Sequence, residues 1–469
     1  MKRLASYFLP KLPIYLVYML QQVEYEPNAF LAWLARVPQL TRVMHRQKLV
    51  WTRRARLLTG FSYGVAIVFL LRVALATLAN PLAVLFIIFT PLVAITTLYI
   101  IVLGAWVVIE QPRRRRLIAQ SEKIFASHPA TKIAIAGSYG KTSMKELLLA
   151  ALKADKKVAA TPGNKNVPIS HARWAATLDG DEDILLIEYG EGAPGDVKCF
   201  AATTHPDIGI ITGLAPNHLD RYGSLEVVAK DLFSLADYLK DENVYVNVES
   251  TEVTPYLKDT YIMYSQKEVL GWTISGITVS LEGMSFQMKK DTEHMHITSG
   301  LLGRHQVGPL SLAAALSHKL GLKVAQIEAN LAQTKPYEHR MQPYKLAGAT
   351  IIDDGYNGSL EGIRAGTALL KALPATRKIY VTPGLVDQGK ETERVHLEIG
   401  RLIANAKPDQ VILMKNSVTD FITEGLEETC YEGTITIQTD PLDFYTNLDQ
   451  YVAVGDLVIL QNDWTDNYH

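Results

Sequence analysis

The stretch that decides the fold is residues 132–146, KIAIAGSYGKTSMKE. An apolar run, Ile133–Ala136, leads into Gly137-Ser138-Tyr139-Gly140-Lys141-Thr142-Ser143, and a helical segment rich in Leu and Lys follows. Glycines let backbone N–H groups approach phosphate oxygens, and a helix N-terminus adds partial positive charge. A lysine at that point neutralises β- and γ-phosphate charge, and the next hydroxyl can ligate Mg2+. The usual phosphate loop has four residues between its glycines. Here Ile135 stands where the first glycine would fall, so the loop is a shortened G-x-x-G-K-T-S form. A strand before it and a helix after it favour a phosphate loop over a chance Gly-rich turn.

Working outward, apolar β-branched runs recur at Lys132–Ala136, Ile184–Ile187, Ile208–Thr212 and Val244–Val248, separated by helical stretches. That alternation is the rhythm of a parallel sheet. Residues 260–300 read as short antiparallel strands, and helices are expected near Val307–Leu320 and Val324–Gln333. A second α/β series has strands near Thr350–Asp353, Lys378–Thr382, Gln410–Met414, Thr434–Gln438 and Leu457–Leu460, with a boundary near Pro336–Pro343. The expected fold class is α/β: a P-loop parallel-sheet central domain over 117–338 and a Rossmann-like C-terminal domain over 339–469.

Upstream the composition changes. Leu57–Ala79 and Leu82–Ile109 are apolar runs long enough to cross a bilayer core, joined by Asn80-Pro81. Arg42, Arg46, Lys48, Arg53, Arg54 and Arg56 precede them, and Arg113 to Arg116 follow. By the positive-inside rule, both ends of this α-helical transmembrane hairpin (57–109) face the cytoplasm and hold the catalytic part at the cytoplasmic membrane. Arg72, the one charge within the first span, is expected to snorkel to the outer interface. Residues 1–56 mix basic and aromatic positions, including Tyr7, Phe8, Tyr15, Tyr18 and Trp33, and are expected to lie along the membrane surface. A charge balance of 47 Lys+Arg against 48 Asp+Glu argues against nucleic acid as a partner. Two cysteines, Cys199 and Cys430, form neither a disulfide framework nor a zinc cluster.

Two further residues suit a metal–nucleotide centre. Glu188 ends an apolar strand, where parallel sheets bind ligands, and a carboxylate there suits Mg2+. A solvated strand end is the plain alternative. His218 follows the strand at Ile208–Thr212; alone it would read as a surface or core histidine, and its position after a neighbouring strand edge favours a ligand.

In order along the chain, AGSYGKTSMKE (136–146), TPGNKN (161–166), IEYGEGAPGD (187–196), NHLDRYGSLE (217–226), LLGRHQV (301–307), HRMQ (339–342), DDGYNGSLEG (353–362) and GLVDQGKETERVH (384–396) resemble the Mur ligase family. The likeness is closest to its D-alanyl-D-alanine-adding branch. It implies an ATP- and Mg2+-dependent amide ligase of peptidoglycan precursor synthesis. The γ-phosphoryl of ATP would activate a muramoyl-peptide carboxylate, UDP- or lipid-linked, as an acyl phosphate, and an amino acid or dipeptide would attack it. Carried over by position, Gly137, Ser138, Gly140, Lys141, Thr142 and Ser143 would cradle the phosphates. Thr142 and Glu188 would hold one Mg2+ and His218 a second. Arg340 would reach the γ-phosphate, Gln306 would lie near the adenine, and Asp354 would contact the ribose. Asn164, Asn166, Asn357 and His396 would face the substrates. Plainer readings remain for three of these: Arg340 as a surface charge, Asp354 as a cap of the helix near Ser359, and His396 as a solvated helix residue.

The sequence also departs from the family. The position of the family's carbamylated lysine is Leu232, and Lys230, two residues earlier, points about 200° away around a helix, so no carbamate is expected. Gln306 and Pro309 stand where asparagines are usual, and Gln461-Asn462-Asp463-Trp464 replaces a Lys-Gly-Ser-type ending. The membrane module takes the place of the family's UDP-sugar-binding domain, which suggests an acceptor approached at the bilayer. Two other readings stand beside the ligase: a different acid–amine pair, and an impaired nucleotide-binding scaffold for cell-wall enzymes.

Overall fold

The structure, a computed structural model, describes residues 7–37, 40, 49–163, 165–216, 219–356, 358–386 and 388–462. The chain divides into two compact units, Met1–Leu117 and Ile118–His469.

In the first unit a 27-residue helix spans Arg53–Ala79, its N-terminus capped by Thr52, whose Oγ1 accepts from the Ala55 N–H at 3.1 Å. The chain turns at Asn80, whose Oδ1 accepts from Leu82 N at 3.0 Å. The return leg is not one uniform α-helix. It runs as a 3-10 segment, Pro81–Phe89, then α over Thr90–Ala105, π over Trp106–Glu110, and α again over Gln111–Ser127. Proline explains the first change: Pro91 has no N–H to offer Ile87, whose carbonyl instead takes the Thr90 N–H and hydroxyl. Both legs are long and apolar enough to cross a membrane, and they expose apolar side chains along most of their length, from Leu57 to Ile109.

Within residues 1–56, the helix Leu12–Gln22 is packed on several sides. Leu12, Leu16, Val17, Tyr18, Met19 and Leu20 are buried, in one cluster with Phe30, Ala55, Leu98 and Val102. Apolar positions sit on too much of the helix circumference to leave a polar face, so the hairpin covers them. Gln21 fixes the approach by exchanging two 2.9 Å hydrogen bonds with the backbone of Val50.

The second unit holds two sheets. Ten strands form the first: β1 Thr131–Ala136, β2 Val158–Ala160, β3 Ile184–Glu188, β4 Ile208–Ile211, β5 Val244–Asn247, β6 Ile262–Tyr264, β7 Glu268–Val269, β8 Trp272–Ser280, β9 Gly283–Lys290 and β10 Glu293–Ser299. Their order is β10-β9-β8-β7-β6-β5-β4-β1-β3-β2. From β2 to β6 every pairing is parallel; from β6 to β10 every pairing is antiparallel. The change follows the connections, since β7 to β10 are joined by short turns and the earlier strands by helical crossovers. Apolar residues on both faces bury the parallel part: Ile133, Ile135, Leu186 and Ile210 on one side, Ala134, Ala136, Leu185 and Ile211 on the other.

The other sheet comprises β11 Gln342–Leu346, β12 Ala349–Asp354, β13 Arg377–Thr382, β14 Gln410–Met414, β15 Thr434–Gln438 and β16 Asp456–Gln461, in the order β11-β12-β16-β13-β14-β15. Only the β11–β12 pair is antiparallel. The helix Leu360–Ala372 starts at Ser359, whose Oγ accepts from Gly362 N at 3.1 Å.

Candidate functional site

β1 lies between β3 and β4, so the loops leaving the carboxyl ends of these three strands converge where open α/β sheets bind ligands. From β1 comes the Gly137–Gly140 turn. Gly137 has φ +147°, and a Cβ there would lie 2.2 Å from Thr212 Oγ1 beyond β4; Gly140 has φ +73° and opens the helix Lys141–Leu152. Side-chain-free positions are required at both. Thr212 stitches the turn to β4 by donating its hydroxyl to the carbonyls of Ala136 and Tyr139. The Tyr139 ring packs on Gly213, and burial pushes its phenol far up from its ordinary range.

The first helical residues carry the charges. Lys141 Nζ donates to the Gly137 carbonyl and lies 3.3 Å from Glu191 Oε1. Thr142 Oγ1 donates to Glu188 Oε1 at 3.0 Å, and Asn166 Nδ2 donates to the same oxygen at 3.3 Å. Glu188 is no solvated strand end: it is 2% exposed, and its Oε2 makes no hydrogen bond among the described residues but faces Lys145 Nζ at 3.4 Å. A hydroxyl and a buried carboxylate side by side are hard oxygen donors that fit Mg2+.

Two participants were not singled out in the sequence. Lys145, one turn after Lys141 on the same helix face, is fully buried. Besides pairing with Glu188, it donates to the carbonyls of Thr161 at 2.9 Å and Gly163 at 2.5 Å, tying the TPGNKN loop to the phosphate helix. Glu191, 8% exposed, follows Glu188 by three residues. Burial raises its carboxyl to about 7, with Lys141 pulling the other way. The i, i+4 lysine spacing and the second acid in IEYGEGAPGD were the available signals.

The residues assigned by resemblance fare unevenly. Asn164, His218 and Asn357 lie outside the described residues. Gln306 ends a short 3-10 turn, Arg304–Gln306, with its Nε2 2.9 Å from His305 Nε2. The Arg340 guanidinium lies 4.9 Å over the Tyr356 ring, and no hydrogen bond or ion pair joins it to the phosphate loop among the described residues. Asp354 caps no helix. It ends β12, accepts from Met341 N at 3.1 Å and Gln461 Nε2 at 2.7 Å, and is raised by burial to about 6. His396 is corrected: it is neither solvated nor open to a substrate. It is fully buried, with Nε2 accepting from Leu385 N at 3.0 Å and Nδ1 donating to Thr392 O at 2.5 Å. Leu232, 1% exposed, sits in the apolar core, while Lys230 faces solvent. Among the described residues no group of three or more His, Cys, Asp and Glu side chains gathers to hold a metal. A cation here depends on the Thr142–Glu188 pair together with a ligand's own oxygens.

Residues 135–317 match the Mur ligase middle domain. The chain is 29% identical over 294 residues to the UDP-N-acetylmuramoyl-tripeptide–D-alanyl-D-alanine ligase of Escherichia coli, a match covering 61% of this chain and 64% of that enzyme. It therefore spans just under two thirds of that relative's length. Two solved structures share the fold: MurF from Acinetobacter baumannii, with a TM-score of 0.66, 18% identity and coverage of 75% of this chain and 77% of that one, and MurF ligase from Thermotoga maritima in complex with ADP, with a TM-score of 0.65, 20% identity and coverage of 75% and 80%.

Proposed function

We propose that this chain, whose residues 135–317 match the Mur ligase middle domain, is an ATP-dependent amide ligase that joins D-Ala-D-Ala or a related amine to a muramoyl-peptide carboxylate. The observation that carries the reading is the pairing of Thr142 with Glu188 directly after the Gly137–Lys141 phosphate loop. A carboxylate acylates poorly; transfer of the γ-phosphoryl of ATP makes it an acyl phosphate with a good leaving group. Amine attack then forms the amide and expels phosphate. Positive charge placed beforehand where the phosphoryl charge develops is the main source of rate.

The backbone N–H groups after Gly137 and the N-terminus of the Lys141–Leu152 helix receive the phosphates, and Lys141 neutralises them. Thr142 Oγ1 and Glu188 would hold Mg2+, which when bound supplies further charge neutralisation. Lys145 keeps Glu188 and the 161–163 loop in register. Asp354 would take the nucleotide ribose, and Arg340 would turn from Tyr356 to the γ-phosphate.

The proposal includes the membrane. The two apolar legs would cross the bilayer as a hairpin with the ligase on the cytoplasmic side, facing an acceptor that is itself lipid-linked. The exposed apolar surface between Leu57 and Ile109 supports this. Full-length protein in detergent, given ATP, a muramoyl-tripeptide acceptor in UDP- or lipid-linked form, and D-Ala-D-Ala, tests both parts. Phosphate release that requires the dipeptide, faster with the lipid-linked acceptor, is expected. Release indifferent to every amine would overturn the ligase, and equal turnover of the two acceptors would remove the lipid-linked substrate.

A further inference from the structure

Glu191 is the buried acid that the mechanism above leaves without a task. Its side chain is 4% exposed, its Oε1 lies 3.3 Å from Lys141 Nζ, and its Oε2 accepts no hydrogen bond among the described residues. The neighbouring buried acid is different. Asp231 has both oxygens satisfied, Oδ1 by the Gly195 N–H at 2.9 Å and Oδ2 by the Tyr222 hydroxyl at 2.8 Å. Nor does Glu188 share the position of Glu191, because its cation, Lys145, is fully buried and bound to two carbonyls, and so is not available to a ligand.

Lys141 is the only cation paired with Glu191 among the described residues, and it is also the lysine that opens the phosphate helix. Its ammonium already serves the Gly137 carbonyl and Glu191, so a nucleotide's phosphates compete with Glu191 for it. Once a nucleotide draws the ammonium to its phosphates, a buried carboxylate with a bare oxygen is left facing several negative charges. A buried charge without a partner is strongly disfavoured, so the carboxylate then either takes up a proton or meets a second cation that enters with the nucleotide. Mg2+ is commonly held by one or two carboxylates, with water and substrate phosphates completing its shell. Glu191 supplies such a carboxylate from the loop after β3, whereas Asp231, on the helix Leu225–Tyr238, is already held by Gly195 N and the Tyr222 hydroxyl.

We propose that Glu191 is a divalent-cation ligand of the nucleotide-bound state, holding Mg2+ against the phosphate oxygens that draw Lys141 away from it. The inference rests on the ATP-binding reading above and adds a ligand to the Thr142–Glu188 pair.

Mn2+ titration followed by electron paramagnetic resonance, on full-length protein in detergent with a non-hydrolysable ATP analogue, tests it without turnover. Glu191→Gln is expected to weaken nucleotide-dependent Mn2+ binding on the order of tenfold or more. Metal-free binding of the analogue should be unchanged or tighter, because Lys141 is released. Mn2+ affinity within about twofold of wild type would overturn the assignment while leaving the ATP reading intact. Failure of the wild-type protein to bind the analogue at all would overturn both. Should Glu191→Gln not fold, Glu191→Asp keeps the charge on a shorter stem: weakened Mn2+ binding supports the role, and unchanged binding overturns it.

Discussion

Lys145 and Asp354 show how single side chains hold this site. Lys145 has no exposed surface, and Met in its place would leave Glu188 buried without its cation and cut two loop anchors. Lys145→Met is therefore expected to cost about 3–5 kcal/mol, read as a lower denaturation midpoint. A loss below about 1 kcal/mol, the scale of an exposed pair, would show that Glu188 does not depend on it. Asp354 titrates upward, to about 6, because burial outweighs the Gln461 and Met341 hydrogen bonds and the nearby Arg340; Asp353 adds to the rise. The folded state thus binds this proton more tightly than the unfolded chain. Its stabilising contribution is fully present below about pH 4 and is lost as pH rises through about 6. Asp354→Asn removes the slope, so the variant should gain stability relative to wild type between pH 4 and 6.5. A melting-temperature difference that stays constant over that range would contradict the shift. The phosphate-loop residues were legible because their chemistry is local, a turn and a helix start. His396 was not: its burial depends on packing under Gly384 and Leu385, eleven or twelve residues away in sequence.

At the scale of elements, β14 and β15 fall where the apolar runs placed them, and the other expected strands agree to within a residue at each end. Parallel strands buried on both faces are continuous apolar runs, and such runs are visible without tertiary information. The legs of the hairpin were legible as apolar length, but not as a 3-10, α and π succession, which depends on which carbonyls lose their donors. Helix contacts were equally hidden. The helices Thr392–Ala406 and Thr419–Glu428 cross at Gly400 and Gly425, where a Cβ on Gly400 would lie 2.3 Å from the Ile422 carbonyl oxygen and 2.8 Å from Gly425 Cα. Backbone cannot swing aside as a side chain can. Gly400→Ala should therefore destabilise the protein by about 1–3 kcal/mol despite its better helix propensity. An alanine variant as stable as wild type would mean the helices part freely.

For the whole molecule, the division at Leu117–Ile118 predicts separable behaviour. Residues 118–469 expressed alone should be extractable without detergent and bind ADP, because both sheets and their cores lie within that unit. The full chain should sediment with membranes until detergent is added. Aggregation of the shorter chain, or salt extraction of the longer one, would contradict this. By itself the sequence determined the parallel α/β order, the phosphate loop and the two apolar legs, because periodicity, glycine chemistry and span length are properties of contiguous residues. Only the tertiary structure decided that Lys145 pairs with Glu188, that Glu191 faces Lys141, and that Leu12–Gln22 is covered by the hairpin. Each of these joins residues distant in sequence, and what brings them together is burial, where an unpaired charge or an uncovered apolar face is too costly to keep.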